Sequence, residues 1–146
     1  MIERVTIKNF DEVLPLIEAY QKFYKVTDIN IEKNKEFFSQ FLNDDNQGYL
    51  YLFRAEEEAV GFTTIYSGYS STRAEKVAIL NDLYISPAHR RKGYAKELIT
   101  NAIKAAKERG FSRLQWLTTK SNEEAQNLYD SLGANKSEWY FYTKET

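Results

Sequence analysis

The order of strand-like and helix-like stretches predicts an α+β (mixed α/β) fold, one domain over residues 1–146. Three observations carry this. Apolar residues alternate with period two in several short runs and recur at helical spacing in others. The two kinds of run follow one another as β-α-α-β-β-β-α-β-α-β, which suits a mixed sheet with helices packed on it. No repeat, linker or low-complexity stretch interrupts them, and a chain of 146 residues is long enough to bury its own core.

Arg4-Val5-Thr6-Ile7-Lys8 alternates like a strand. Phe10, Val13, Leu14, Ile17 and Tyr20 then mark a helix capped by Asn9 or Asp11, with Pro15 near its start. A second helix is expected over Ile31 to Leu42, burying Phe37, Phe38, Phe41 and Leu42. Tyr49 to Phe53 and Ala59 to Tyr69 read as strands of a hairpin closed by Glu56-Glu57-Glu58. Ser67-Gly68-Tyr69-Ser70-Ser71 reads as a flexible lead into a third strand, Val77 to Ile85. From Lys92 to Arg109, Ala95, Leu98, Ile99, Ala102, Ile103 and Ala106 form one apolar face, and Gly110 supplies the C-cap. Arg113 to Thr118 is a strand. Ser121-Asn122-Glu123-Glu124 is a capping box with Ser121 as cap, opening a helix with Ala125, Leu128, Tyr129 and Leu132 inward. After Gly133, Trp139 to Thr143 is a final strand.

Composition removes several chemistries. The chain has no cysteine and one histidine, His89, which excludes thiol catalysis and two-histidine metal sites. His89 itself is expected to be exposed on its loop, and no metal is expected. No apolar run approaches the roughly 18 residues of a membrane span, and no signal peptide is visible, so a cytoplasmic protein without a membrane partner is expected. Net charge is −1, yet residues 86–120 carry +7 and the remainder −8. A basic block in an acidic chain suits a polyanion of limited size rather than nucleic acid. A solvated helix face explains Lys104 and Lys107 equally well.

The block includes Leu83-Tyr84-Ile85-Ser86-Pro87-Ala88-His89-Arg90-Arg91-Lys92-Gly93-Tyr94-Ala95-Lys96. A strand ends at a proline, a basic turn follows, and a helix opens at a glycine. Unpaired N–H groups at a helix start suit phosphate oxygens, and a glycine lets the backbone come close. The spacing is neither that of a P-loop nor that of a dinucleotide fingerprint. Taken alone, the letters also describe a basic loop beginning an ordinary amphipathic helix.

Arg90-x-x-Gly93-x-Ala95 after Leu83-Tyr84-Ile85-Ser86-Pro87 resembles the acetyl-CoA motif of the GCN5-related N-acetyltransferase (GNAT) family. That family carries Arg or Gln, two residues, Gly, one residue, then Gly or Ala. Further on it has a helix bearing an Asn and, seven positions later, a Tyr; Asn122 and Tyr129 stand at that separation. The likeness runs from Val77 to Ala134. Leu80-Asn81-Asp82-Leu83-Tyr84-Ile85, Trp116-Leu117-Thr118-Thr119 and Tyr20-Gln21-Lys22-Phe23-Tyr24 resemble the Hpa2-type and diamine acetyltransferase subgroup. Where diamine enzymes often carry an acid before the strand's Asp, this chain has Asn81.

The resemblance implies a mostly antiparallel twisted sheet of six to seven strands flanked by about four helices. It implies acetyl-CoA as co-substrate and a small-molecule amine (polyamine, amino acid or related amine) as acceptor, attacking directly in a ternary complex. The backbone of Leu83, Tyr84 and Ile85 would pair with the pantetheine arm. Arg91, Lys92, Gly93, Tyr94, Ala95 and Lys96 would offer N–H groups to the pyrophosphate, with Arg90 orienting the loop. Asn122, left free by Ser121, would face the cofactor. An alkylamine with a pKa of about 10.4 is almost wholly protonated at neutral pH, so a proton acceptor is needed. Asp82 is the candidate; by alternation it shares a face with Tyr84, while Asn81 and Ile85 take the other. A buried salt-bridging role for Asp82 stays open. Tyr129 would protonate the leaving thiolate, or else is a core residue of its helix. Tyr20 and Tyr24 would line the acceptor pocket, or pack as core at helical spacing. A homodimer through the C-terminal strand is a further implication. The alternatives are an acyl-CoA-binding or interaction domain without turnover, and an acetyltransferase for protein lysine or N-terminal amines.

Overall fold

A computed structural model describes all residues, 1–146. It contains β1 (Ile2–Arg4), α1 (Phe10–Phe23), α2 (Ile31–Ser39), β2 (Gly48–Ala55), β3 (Glu58–Ser70), β4 (Glu75–Ile85), α3 (Tyr94–Glu108), β5 (Leu114–Gln115) and α4 (Glu123–Ser131). The chain forms two compact units, Met1–Trp116 and Leu117–Thr146.

In the first unit the strands lie in sequence order, β1 to β5. Three antiparallel pairings are followed by a parallel one between β4 and β5. Alternation sends the side chains to two cores. Leu50, Leu52, Phe62 and Tyr84 pack with Phe10, Val13, Ile17 of α1 and Phe38 of α2. Phe53, Val60 and Ile85 pack on the other face with Leu98 of α3. The result is a sheet between two helical layers. Arg54 ties one edge together, donating to Glu3 on β1 at 2.9 Å and to Glu12 on α1 at 2.8 Å. Asp45 accepts from Arg4 at 2.6 Å and from Arg109, which follows α3, at 2.8 Å. Burial opposes the Asp45 charge, but these bonds outweigh it and hold the carboxyl below its usual range.

The structure departs from the sequence-based expectation at several points. The sheet has five strands, not six to seven. Arg113 to Thr118 pairs only at Leu114 and Gln115. The expected strand at Trp139–Thr143 is absent, because residues 134–146 make no ladder and the rings from Trp139 to Tyr142 stand 77–88% exposed. Strand propensity needs a neighbouring backbone to become a strand. Conversely, Ser67 to Ser70 is strand rather than flexible lead, since the ladder continues from Ser67↔Ala78 to Ser70↔Glu75. α2 stops at Ser39, with Phe41 and Leu42 buried beyond its end and Phe37 46% exposed. On α3, Ala105 is buried and Ile103 is 43% exposed.

β3 needs its glycine. A Cβ on Gly61 would lie 2.7 Å from the Tyr84 carbonyl oxygen and 2.5 Å from Ile85 Cδ1. Gly61→Ala therefore pushes the end of β4 outward. It is expected to cost about 1–3 kcal/mol, the range of an overpacked core, read as a lower melting temperature. An unchanged melting temperature would mean that the end of β4 yields freely.

The second unit is built on α4. Asn122, not Ser121, is its N-cap: Asn122 Oδ1 accepts from the Ala125 N–H at 3.1 Å. Asn and Ser cap about equally well, and the helix begins one residue later than the box suggests. Gln126 folds back onto the carbonyl oxygens of Thr119, Lys120 and Asn122 at 3.0–3.2 Å, bracing the first turn. Ala125, Leu128, Tyr129 and Leu132 are half-buried. Gly133 adopts φ 73° and ends the helix.

Candidate active site

β4 pairs with β3 along its whole length but with β5 only at Ala78 and Ile79. From Leu80 to Ile85 its second edge has no strand beside it. This bare backbone includes Leu83, Tyr84 and Ile85. An extended polar chain can add to such an edge as a further strand would.

Just beyond this edge the chain turns twice into left-handed geometry, at Arg91 (φ 61°) and Gly93 (φ 85°). Gly93 is the N-cap of α3, and no side chain caps that helix. The first helical bond runs from Glu97 N–H to Gly93 C=O at 3.1 Å, so Tyr94, Ala95 and Lys96 have no intrahelical acceptor. A Cβ on Gly93 would meet nothing within 4 Å. The helix start is thus open, uncapped and flanked by the exposed side chains of Arg91, Lys92 and Lys96. These residues fit a pyrophosphate. The Tyr94 ring stacks on Phe53, with centroids 4.3 Å apart, and anchors the first turn to the core.

Arg90 points back from the loop. Its Nε donates to the Ile85 carbonyl at 2.9 Å, and its guanidinium lies 5.5 Å from the Phe23 ring and 5.8 Å from that of Tyr84. It joins loop, strand end and α1. His89 is not simply exposed, as the letters suggest. Its Nδ1 is 2.9 Å from Ser86 Oγ and its Nε2 is 4.0 Å from Glu58. The short helical turn after Ser86 brings that hydroxyl under the ring.

On the α1 side of β4 is a cavity of about 290 Å³ lined by Tyr20, Gln21, Tyr24, Val26, Asn81 and Asp82. The pairing jumps from Thr64↔Asp82 to Ile65↔Leu80, leaving Asn81 as an extra, bulged residue. Alternation alone puts Asn81 and Asp82 on opposite faces. The bulge brings both to one cavity, and Asn81 Nδ2 donates to Asp82 Oδ1 at 3.1 Å. Asp82 is 9% exposed. Burial raises its carboxyl above the usual range, partly offset by the polar groups of Thr64, Asn81 and Tyr20. Burial, reinforced by the Asp82 charge, in turn drives the Tyr20 and Tyr66 hydroxyls upward. Tyr20 packs edge-on against Tyr24 at 4.9 Å, Phe62 at 5.7 Å and Tyr84 at 5.8 Å. The sequence singled out Tyr20, Tyr24 and Asp82; it assigned no role to Gln21, although that residue lies within the stretch 20–24, and none to Val26.

Asn122 and Tyr129 lie on α4, at its cap and in its last turn. Asn122 Oδ1 is committed to the cap, which leaves its amide N–H for any other contact.

A strand edge without a neighbour, leading to an uncapped, basic helix start beside a pocket with a buried carboxyl group, suits an acyl-CoA-dependent acyltransferase. Comparison with known proteins agrees. Residues 13–134 match the model of the Acetyltransferase (GNAT) family. The thialysine N-epsilon-acetyltransferase of Caenorhabditis elegans is 29% identical across 96% of this chain and 88% of its own. The D-amino-acid N-acetyltransferase of Saccharomyces cerevisiae is 30% identical across 99% and 89%. A crystal structure of a probable acetyltransferase superposes with a TM-score of 0.87 at 30% identity, covering 100% of this chain and 97% of that one. The chain belongs to the GNAT family and is an acetyltransferase that draws on acetyl-CoA, in keeping with its Hpa2-type and diamine-acetyltransferase likeness. No helix is long and apolar enough to cross a membrane.

Proposed function

We propose that the protein transfers an acetyl group from acetyl-CoA to the primary amine of a small molecule, a polyamine, an amino acid or a related amine. The observation that supports this reading is that one strand borders the cavity and also has the unpaired edge. Asn81 and Asp82 line the acceptor cavity, and the next residues, Leu83 to Ile85, form the bare edge. A thioester carbonyl held along that edge lies next to the cavity without any large motion.

The thioester supplies an activated acyl carbon. The amine nitrogen attacks it in a ternary complex, a C–N bond forms and the C–S bond breaks. Asp82 takes the ammonium proton before attack, directly or through water, its burial bringing it closer to the working pH than an exposed aspartate. Tyr129 gives a proton to the departing sulfur. Leu83, Tyr84 and Ile85 hold the pantetheine arm by their backbone, and Arg91 to Lys96 hold the pyrophosphate. Arg90 positions that loop through Ile85, and the Asn122 amide N–H contacts the cofactor. Tyr20 and Tyr24 wall the amine pocket. The enzyme works in the cytoplasm, as a homodimer that gives the aromatic segment Trp139 to Tyr142 a partner.

Thermal denaturation with CoA, acetyl-CoA and ATP tests the donor site. At a hundred times its dissociation constant a CoA species is expected to add about 2.7 kcal/mol of stability, and ATP much less. No shift with either CoA species would mean that the helix start holds no CoA, and an equal shift with ATP would mean that it reads the nucleotide phosphates alone. An amine panel followed by free-thiol release then identifies the acceptor, with a peptide N-terminus and a lysine peptide as competing arms. CoA binding without thiol release from any arm would leave a binding domain.

A further inference from the structure

The wall of the amine cavity is fixed from behind by a contact between two helices. Gln21 lines the cavity from α1. Its Nε2 donates to Asn34 Oδ1 at 2.8 Å, and Asn34 Nδ2 donates back to Gln21 Oε1 at 2.8 Å. Asn34 is on α2, 7% exposed, and is one of only two buried residues of that helix with Phe38. A buried amide is retained only when its groups are paired, and here each amide satisfies the other. The pair also forms with both amides turned over together, whereas turning one alone would set oxygen against oxygen and nitrogen against nitrogen. Gln21 keeps one N–H and one lone pair, beside Tyr20, Tyr24 and Asp82.

We infer that Gln21 is a specificity-determining contact for the acceptor amine and that Asn34 is the residue that positions it. This rests on the amine-acetylating function proposed above. A glutamine side chain has three rotatable bonds, and fixing them on binding costs affinity. Asn34 fixes them beforehand, so the wall meets the acceptor already ordered. Asn34 itself does not line the cavity, and it acts only through Gln21.

The test compares three variants with the parent, measuring KM for the best amine of the panel, KM for acetyl-CoA, kcat and melting temperature. Asn34→Leu keeps the bulk and loses both hydrogen bonds. Gln21→Ala removes the contact at a half-exposed position and guards against a misfolded Asn34→Leu. Phe38→Leu loosens α2 without touching the pair. Asn34→Leu and Gln21→Ala are expected to raise the amine KM about 5–10-fold while the acetyl-CoA KM stays within about twofold. Phe38→Leu is expected to lower the melting temperature and leave the amine KM alone. An amine KM within twofold of the parent in Gln21→Ala overturns the inference, as does an equal rise in Phe38→Leu. In either case an active parent leaves the proposed function standing. A parent inactive on every amine removes that function, and this inference with it.

Discussion

Asp82→Asn is expected to melt higher than the parent at neutral pH while losing about 10²-fold or more in kcat/KM for the amine. Both halves come from one fact. Asp82 is buried, and burial raises its carboxyl above the unfolded value. Between those two values the folded state binds more protons than the unfolded one. Stability therefore falls as pH rises through that window, and above it the full cost of the buried charge remains. The neutral amide removes that cost; each 1 kcal/mol regained reads as about 2–4 °C in a chain of this size. The gain should vanish at a pH below the unfolded value, where the parent's carboxyl is also neutral. Catalysis runs the other way, because the amide cannot accept the ammonium proton. The rising limb of kcat/KM with pH that belongs to Asp82 is lost in the variant. Melting curves across pH, beside rates on the same samples, check both. A variant as active as the parent would assign the deprotonation elsewhere.

Tyr129→Phe is expected to lower kcat about 10- to 10²-fold, with the acetyl-CoA KM and the CoA-induced thermal shift close to those of the parent. The departing sulfur has a conjugate-acid pKa of about 8.5 by analogy with cysteine, against about 10 for a phenol. Full transfer from phenol to thiolate is thus uphill by about 1.5 pKa units, and the phenol helps mainly while charge is building on sulfur. That places its contribution below that of the base. The preserved CoA shift is the control for folding. A kcat within twofold of the parent would remove the tyrosine from the mechanism and leave it as a packing residue of α4.

Much of the fold was legible because local rules and tertiary packing agree. The apolar face of α1, that of α3 except at Ile103 and Ala105, the hairpin of β2 and β3, and the glycine at the start of α3 sit where periodicity and φ preferences place them. Most of the failures share a cause in pairing between distant residues. The bulge at Asn81 exists only relative to β3, and no letter in Leu80-Asn81-Asp82 announces it. Ser67 to Ser70 has a loop's composition but gains a full ladder from β4. The Trp139–Thr143 stretch has a strand's composition and gains none. At Asn122 two equivalent capping residues stand side by side, and only the position of the first turn chooses between them. The Gln21–Asn34 pair bridges two helices thirteen positions apart, beyond any helical period.

The half-paired strand β4 has a consequence outside catalysis. A row of unpaired amides and carbonyls is a template for any passing chain, and proteins usually blunt such edges with charge, proline or a covering element. Over Leu83-Tyr84-Ile85 the only such device is Arg90, whose guanidinium holds the Ile85 carbonyl at 2.9 Å, and Pro87 comes only after the strand has ended. The molecule thus leaves without a partner strand a stretch of backbone of the kind most prone to self-association. A donor that settles along it, as proposed above, would also shield it, so the ligand-free protein is expected to aggregate sooner than the CoA-saturated one.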